Sequence, residues 1–479
     1  MAPVRWSSAE DLQTLLGTAG FRSPAYRDLA ERVRYLVVDG RLPVGVRLPS
    51  ERELARVLQL SRSTVTAAYA RLASLGYLQA RQGAGNFVRV PPAQQLTGLP
   101  GVDEPGSDVI NMAFASTPAP AGIAAAYARA LDQLPGLLRG NGYSPEGLPV
   151  LRERIADWYG ARGLPTDPEQ VVVTSGALSA LNVVAAALLG PGDRVLVEAP
   201  TYANALEALR RRGARPMGYP LPPQGWDPAG FDATLRQTAP RLAYLIPEFH
   251  NPTGAWLPTA ARPEIAAALR RSQTVAVVDE TLVEVALEGQ APRPPLAAQL
   301  PDAVSIGSAS KAFWGGLRIG WVRAPRDLVR TLVQVRASSD LGTAPLEQLV
   351  VADLLADPTA VLADQRTRLR TQRDLLVARL AAVLPDWQVE VPGGGLFLWA
   401  GLPTESSSRL AAAAERQGLL LGAGPRFYPG AGGERRMRLP YAAPAEVLEE
   451  AVRRLVRAWA DVENGRPGAT SLLPLELTA

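Results

Sequence analysis

Between residues 25 and 39 the apolar positions Tyr26, Leu29, Val33 and Leu36 step by three and four, which predicts one buried helical face. Gly40-Arg-Leu-Pro-Val-Gly then reads as a turn. Ser50-Glu-Arg-Glu53 predicts a helix start as a capping box, with Ser50 as N-cap and Glu53 reaching back, and Leu54, Val57 and Leu58 follow on one side. Ser61 caps a third helix whose apolar side is Val65, Ala68, Tyr69, Leu72 and Leu75, and Gly76 ends it. Residues 77–81 and 86–90 alternate as two short strands around Gln82-Gly83-Ala84-Gly85. Three helices and a hairpin make a winged helix-turn-helix over residues 23–90, behind a partly helical extension at 1–22.

The pattern then changes twice. Residues 91–108 are rich in proline, glycine and polar side chains without a period, and read as a tether. From 109 to about 463, short apolar runs alternate with helical stretches. Val171-Val-Val-Thr, Val195-Leu-Val-Glu, Ala243-Tyr-Leu-Ile and Val275-Ala-Val-Val predict buried parallel strands, hence an α/β sheet with helices on both faces. We expect a large part at about 140–340, a small part at about 341–463 and a loose tail at 464–479.

Composition narrows the chemistry. The 479 residues suffice for two or three domains, and a formal net charge of +4 is too small to identify a nucleic-acid binder by itself. No cysteine and one histidine, His250, exclude disulfides, thiolate chemistry and a histidine-rich metal site, so no metal is expected. The first residues lack the apolar core of a signal peptide, and the apolar run at 177–189 is too short to span a bilayer. The expectation is a cytoplasmic protein without a membrane partner.

Lys311 is the only lysine in the chain, although lysine and arginine together number 50. Arginine replaces lysine in surface charge but cannot condense with an aldehyde, because its guanidinium stays protonated. A solitary lysine in Ser308-Ala-Ser310-Lys311 therefore reads as a Schiff-base residue, and pyridoxal 5'-phosphate as the cofactor. Its phosphate would meet Ser175, Gly176 and Ala177 at a strand-to-helix turn, Arg318, and the hydroxyls of Ser308 and Ser310. Asp279, at the end of a buried strand, would hold the pyridine nitrogen protonated. Asn251 in Asn251-Pro-Thr-Gly would donate to the 3-oxygen, and Tyr202 would stack on the ring. Arg438 would grip a carboxylate. Each of these alone also has a bland reading as a cap, a turn, packing or a surface charge; their order along the chain makes them converge.

In the head, Ser61-Arg62-Ser63-Thr64 at a helix start suits DNA, with backbone N–H groups on phosphate and the arginine on a base edge. Arg47, Arg52, Arg62 and Gly83 form the wider array. Gly40-Arg-Leu-Pro-x-Gly-x-Arg-Leu-Pro-Ser-Glu-Arg-Glu-Leu-Ala and Ser61-Arg-Ser-Thr-Val-x-x-Ala-Tyr-x-Arg-Leu resemble the winged-helix domain of the GntR family of bacterial repressors. That resemblance implies that Arg52, Ser61, Arg62, Ser63 and Thr64 face DNA and that Gln82 and Gly83 reach the minor groove.

From about 110 to 460 the motifs Tyr143-x-x-x-Gly147, Thr174-Ser-Gly-Ala, Pro200-Thr-Tyr202, Asn251-Pro-Thr-Gly, Asp279, Ser308-x-Ser-Lys311 with Arg318, and Arg438 resemble the fold-type I, aspartate-aminotransferase-like enzymes. The resemblance implies an internal aldimine at Lys311 and a Tyr143 that reaches the phosphate across a homodimer interface. The fusion resembles the MocR subfamily of regulators. Thr281, Leu178 and Gly315 depart from residues common in that subfamily, a tyrosine, a glutamine and a proline respectively. The resulting expectation is a regulator that binds operator DNA as a homodimer and senses an amine, an amino acid or pyridoxal phosphate. An aminotransferase with an accessory DNA-binding module is the alternative, and a cofactor-free ligand-binding repressor is a third reading.

Overall fold

Ser50 and Ser61 start their helices as the sequence predicts. The Ser50 hydroxyl accepts from the Glu53 N–H, and the Ser61 hydroxyl from the Thr64 N–H. The capping box at Ser50 is only half made, because the Glu53 side chain does not return to the Ser50 backbone. The computed structural model describes residues 8–465, apart from 18–19, 39–41, 82–83, 90–107, 116, 223–224 and 291–292. The wing residues Gln82 and Gly83, nearly all of the tether and the tail from 466 lie outside the described residues.

Helices Ala25–Val38, Glu51–Leu58 and Arg62–Ser74 precede the antiparallel pair β1 (Leu78–Arg81) and β2 (Gly85–Val88). Both strands fall within two residues of the predicted ones. Their core joins Leu29, Val33, Leu54, Val65, Leu72 and Tyr77, all fully buried. A further helix, Ala9–Leu16, puts Ala9, Leu12 and Leu16 into this same core, so this helix of the extension is an integral layer of the head.

The second domain has two sheets. The larger runs in the order β4 (Val171–Thr174), β10 (Gly320–Arg323), β9 (Val304–Ser308), β8 (Val275–Asp279), β7 (Leu242–Leu245), β5 (Arg194–Ala199), β6 (Arg215–Pro220). Alternate residues enter opposite cores: Val173, Leu196, Ala243 and Val278 one face, Val172, Val197, Tyr244 and Val277 the other. Both faces are therefore covered, which is why these strands read as unbroken apolar runs. One strand outside the four read from the sequence runs the other way. β10 runs antiparallel to both β4 and β9, with Gly320 opposite Thr174 and also opposite Ser308.

The smaller sheet has the order β11 (Phe397–Gly401), β13 (Arg436–Pro440), β12 (Leu419–Ala423), β3 (Ile110–Met112). β3 pairs in parallel with β12, so the first strand after the tether belongs to the small lobe. Asp108, just before it, is bonded by Arg454 across 2.5 Å. Among the described residues no helix is long and apolar enough to cross a membrane, and no cluster of three or more metal-binding side chains occurs.

Candidate functional site

Strand ends in the larger sheet converge on one edge, the position where open α/β sheets meet ligands. Thr174 ends β4, Ala199 ends β5, Asp279 ends β8 and Ser308 ends β9. The double register of Gly320 sets the turn after β4 and the lysine segment after β9 on either side of it. A side chain at Gly320 would meet the Gly176 carbonyl carbon at 2.5 Å, so only glycine permits this approach.

Helix Ala177–Leu188 begins at Gly176 (φ 94°) with no side-chain cap. Its first N–H groups are thus left to an external acceptor, and its dipole favours an anion there. Arg318 lies over this turn and donates to the Ser175 carbonyl at 3.2 Å. Ser308 caps the short helix Ala309–Ala312, accepting from the Ser310 N–H and donating to the Ile319 carbonyl. The Ser308 hydroxyl is therefore engaged by the backbone, whereas the buried Ser310 hydroxyl has no partner. A phosphate would satisfy both the open helix end and that orphan hydroxyl.

Asp279 is 6 % exposed and fully engaged. Tyr244 donates to its Oδ2 at 2.6 Å, and the Thr281 N–H donates to its Oδ1 at 2.9 Å. Burial pushes its pKa up, against the pull of these two bonds. A protonated ring nitrogen would supply the cationic partner that this carboxylate lacks. Tyr202 precedes helix Ala203–Arg211, accepts from the Asn204 amide at 3.2 Å and is pushed up to about 12 by burial and then by Asp279.

Lys311 is partly buried, and its Nζ donates to the Ala115 carbonyl at 2.8 Å. Burial, and then the nearby Arg438 and Arg318, lower its pKa to about 8, with Asp279 opposing. Such an amine holds far more of its neutral, nucleophilic form near physiological pH than an ordinary lysine does, and that form can condense with an aldehyde.

Arg438 on β13 is 0 % exposed. Its guanidinium lies between the rings of Phe397 and Phe427, at 4.4 and 4.7 Å. Nη1 donates to Asn251 Oδ1 at 3.2 Å, Nη2 to the Ala113 carbonyl, and Nε to nothing. Burial lowers its pKa to about 9. A buried cation facing neutral acceptors, with one N–H free, is a receptor for a carboxylate. A separate cleft of about 510 Å³ is lined by Phe249, Thr253, Trp256, Trp399 and Tyr428.

The structure thus brings together Lys311, Asp279, Asn251, Tyr202, Ser175, Gly176, Ala177, Ser308, Ser310, Arg318 and Arg438. Tyr143 stands apart and is 62 % exposed. The sequence reading missed Tyr244, Phe397 and Phe427. Tyr244 was visible as the one polar atom in an otherwise apolar buried strand, which must find a partner.

In the head, Arg52, Arg62 and Ser63 are exposed, and Arg62 keeps 74 % of its side chain in solvent. Ser61 bonds both Ser63 and Thr64 through their hydroxyls, at 2.8 and 2.7 Å. Arg47 bridges to Phe87 on the wing through the backbone.

The model for aminotransferase class I and II matches residues 124–455, more than half of the chain. The chain belongs to this family. The model for bacterial regulatory proteins of the gntR family matches residues 25–88, so the head of this aminotransferase-family chain is a helix-turn-helix domain of the gntR type. It is similar to the uncharacterized HTH-type transcriptional regulator YisV of Bacillus subtilis, with 29 % identity over 78 % of this chain and 84 % of that one. It is also similar to the probable rhizopine catabolism regulatory protein MocR of Rhizobium meliloti, with 28 % identity over 76 % of this chain and 78 % of that one. Among solved structures, LysN, the α-aminoadipate aminotransferase of Thermus thermophilus complexed with N-(5'-phosphopyridoxyl)-L-leucine, superposes with a TM-score of 0.67. The identity there is 31 %, over 74 % of this chain and 93 % of that one. The cofactor of the family is pyridoxal 5'-phosphate, and the donor set assembled here fits it.

Proposed function

We propose that this chain is a homodimeric transcriptional regulator that carries pyridoxal 5'-phosphate on Lys311 and senses an amino acid or a related carboxylate-bearing amine. The observation that carries this reading is the pair of basic groups in one pocket: the Lys311 amine, bonded only to the Ala115 carbonyl, and, beside it, the Arg438 guanidinium with a free N–H. The cofactor, when bound, supplies an aldehyde and an electron-withdrawing ring. Lys311 provides the amine that holds it. Gly176, Ser310 and Arg318 receive its phosphate, and Asp279, fixed by Tyr244 and Thr281, keeps a proton on the ring nitrogen. Arg438 binds the effector carboxylate, and Asn251 orients the guanidinium. The head contributes Arg52, Arg62 and the hydroxyl-bearing helix start to DNA. Tyr143, exposed on each protomer, is available to a partner's pocket.

Purified protein should take up pyridoxal 5'-phosphate with a visible absorbance band and shift the DNA upstream of its own coding region, both altered together in Lys311→Ala. DNA regulation unchanged in a variant that no longer takes up the cofactor would overturn the reading. The Asn251–Arg438 bond favours a second reading, an aminotransferase with an accessory module, because it keeps the carboxylate receptor in working form. That reading requires amino-group transfer to a 2-oxo acid, lost in Lys311→Ala.

A further inference from the structure

The stretch that follows β3 is fastened by the pocket itself. Lys311 Nζ donates to the Ala115 carbonyl at 2.8 Å, and Arg438 Nη2 donates to the Ala113 carbonyl. Gln365 Nε2 donates to the Lys311 carbonyl at 2.9 Å and lies 3.4 Å from the Thr117 hydroxyl. Arg368 donates to the Pro118 carbonyl at 3.3 Å. Two of these four fastenings use the very groups that a ligand must claim. In the other direction the stretch runs straight into β3, then Asp108, then the tether of the winged helix.

We propose that the carbonyls of Ala113, Ala115 and Pro118, together with the Thr117 hydroxyl, form a latch, released stepwise by an aldehyde at Lys311 and a carboxylate at Arg438, whose release is felt at the tether of the DNA-binding head. The inference rests on the pocket being a pyridoxal phosphate site and names how that site is coupled to DNA. The chemistry of each release is specific. When the neutral Lys311 amine forms a C=N bond with an aldehyde, both of its protons leave with the aldehyde oxygen as water, so the bond to Ala115 loses its donor. A carboxylate reaching Arg438 finds Nε free and completes a bidentate pair by taking Nη2 from Ala113. That charge-assisted pair outcompetes a single bond to a neutral carbonyl. Each ligand frees one point of the latch, and the two together leave only Gln365 and Arg368. Because coupling between sites is reciprocal, DNA on the head must also change how firmly the latch is held.

The absence of cysteine makes the test direct. Thr117 is 5 % exposed, and Thr117→Cys places a single thiol on the latch of the full-length chain. Its rate of reaction with a thiol reagent is measured with no addition, with pyridoxal 5'-phosphate, with maleate, and with both. Maleate carries carboxylates but no amine, so it leaves the cofactor attached to Lys311. We expect the rate to rise with the cofactor and to rise further, about tenfold over the starting protein, with both. Hydrogen exchange at residues 110–118 of the unsubstituted chain reads the same release without any substitution, and protection there should fall in the same order. Cofactor absorbance with unchanged thiol rate and unchanged protection would overturn the latch alone. Absence of cofactor absorbance would overturn the pocket reading and the latch with it. Equal thiol rates with and without the upstream DNA would overturn the link to the tether.

Discussion

The hydroxyl of Tyr244 donates to Oδ2 of Asp279 across 2.6 Å, from β7 to the neighbouring β8 on one buried face of the sheet. Tyr244 pairs in register with Val277, so Asp279 is the next residue along on the same face. The tyrosine thus fixes the carboxylate from behind, leaving its other oxygen to the Thr281 N–H.

Tyr244→Phe should weaken uptake of pyridoxal 5'-phosphate. A hydrogen bond to a charged group contributes about 1.5–3 kcal/mol, which corresponds to roughly a 10- to 100-fold loss of affinity. An absorbance titration checks this; affinity within twofold of the parent would show that Asp279 needs no such support.

The rate of cofactor uptake should follow the neutral form of Lys311. Its pKa is lowered from 10.5 to about 8, so the neutral amine gains as pH rises through 8 and is complete above it. Uptake followed by stopped flow should climb between about pH 7 and about pH 9, roughly one unit to either side of that value, and then level. A rate still climbing at about pH 10, the range of an ordinary lysine, would mean an amine exposed to water.

Arg438→Gln should leave cofactor uptake in place and abolish the response to carboxylate-bearing effectors. Removing the charged donor costs about 1.5–3 kcal/mol, roughly a 10- to 100-fold loss of effector affinity, whereas amines without a carboxylate should bind as before. Isothermal titration against an amino acid and its decarboxylated amine distinguishes the two. Equal losses for both would point to a collapsed pocket.

Arg62→Ala should weaken DNA binding without touching the pocket. If Arg62 meets phosphate, the slope of log affinity against log salt should fall by about 1, and if it meets a base edge the loss should concentrate on one position of the operator. Fluorescence anisotropy at several salt concentrations separates these outcomes, and an unchanged affinity would remove Arg62 from the interface.

Much of this was legible because the strongest signals are local. Ser61 announced a helix start through its hydroxyl, and Val171-Val-Val-Thr announced a strand buried on both faces. Lys311 was legible for a different reason: in a chain that otherwise uses arginine, its amine was the exception. What escaped the reading depends on long-range placement. The antiparallel course of β10 is a property of topology, because Gly320-Trp-Val-Arg has the same apolar pattern whichever way it runs. The rings of Phe397 and Phe427 meet Arg438 only after β11 and the turn beyond β12 are folded beside β13. Backbone acceptors such as Ala113 and Ala115 carry no side-chain signature at all. Ser308 looked like a phosphate ligand because its hydroxyl is suited to one, and only the fold shows it bonded to the Ile319 carbonyl and the Ser310 N–H.

Lys311, half-covered and bonded to a carbonyl, is the sole side-chain amine within these 479 residues. Every enzyme that marks proteins by acylating or tagging lysine therefore has one address here, and that address lies inside the pocket. Acylation at this nitrogen would block the pocket rather than decorate the surface, so marking and ligand occupancy become mutually exclusive events on a single atom.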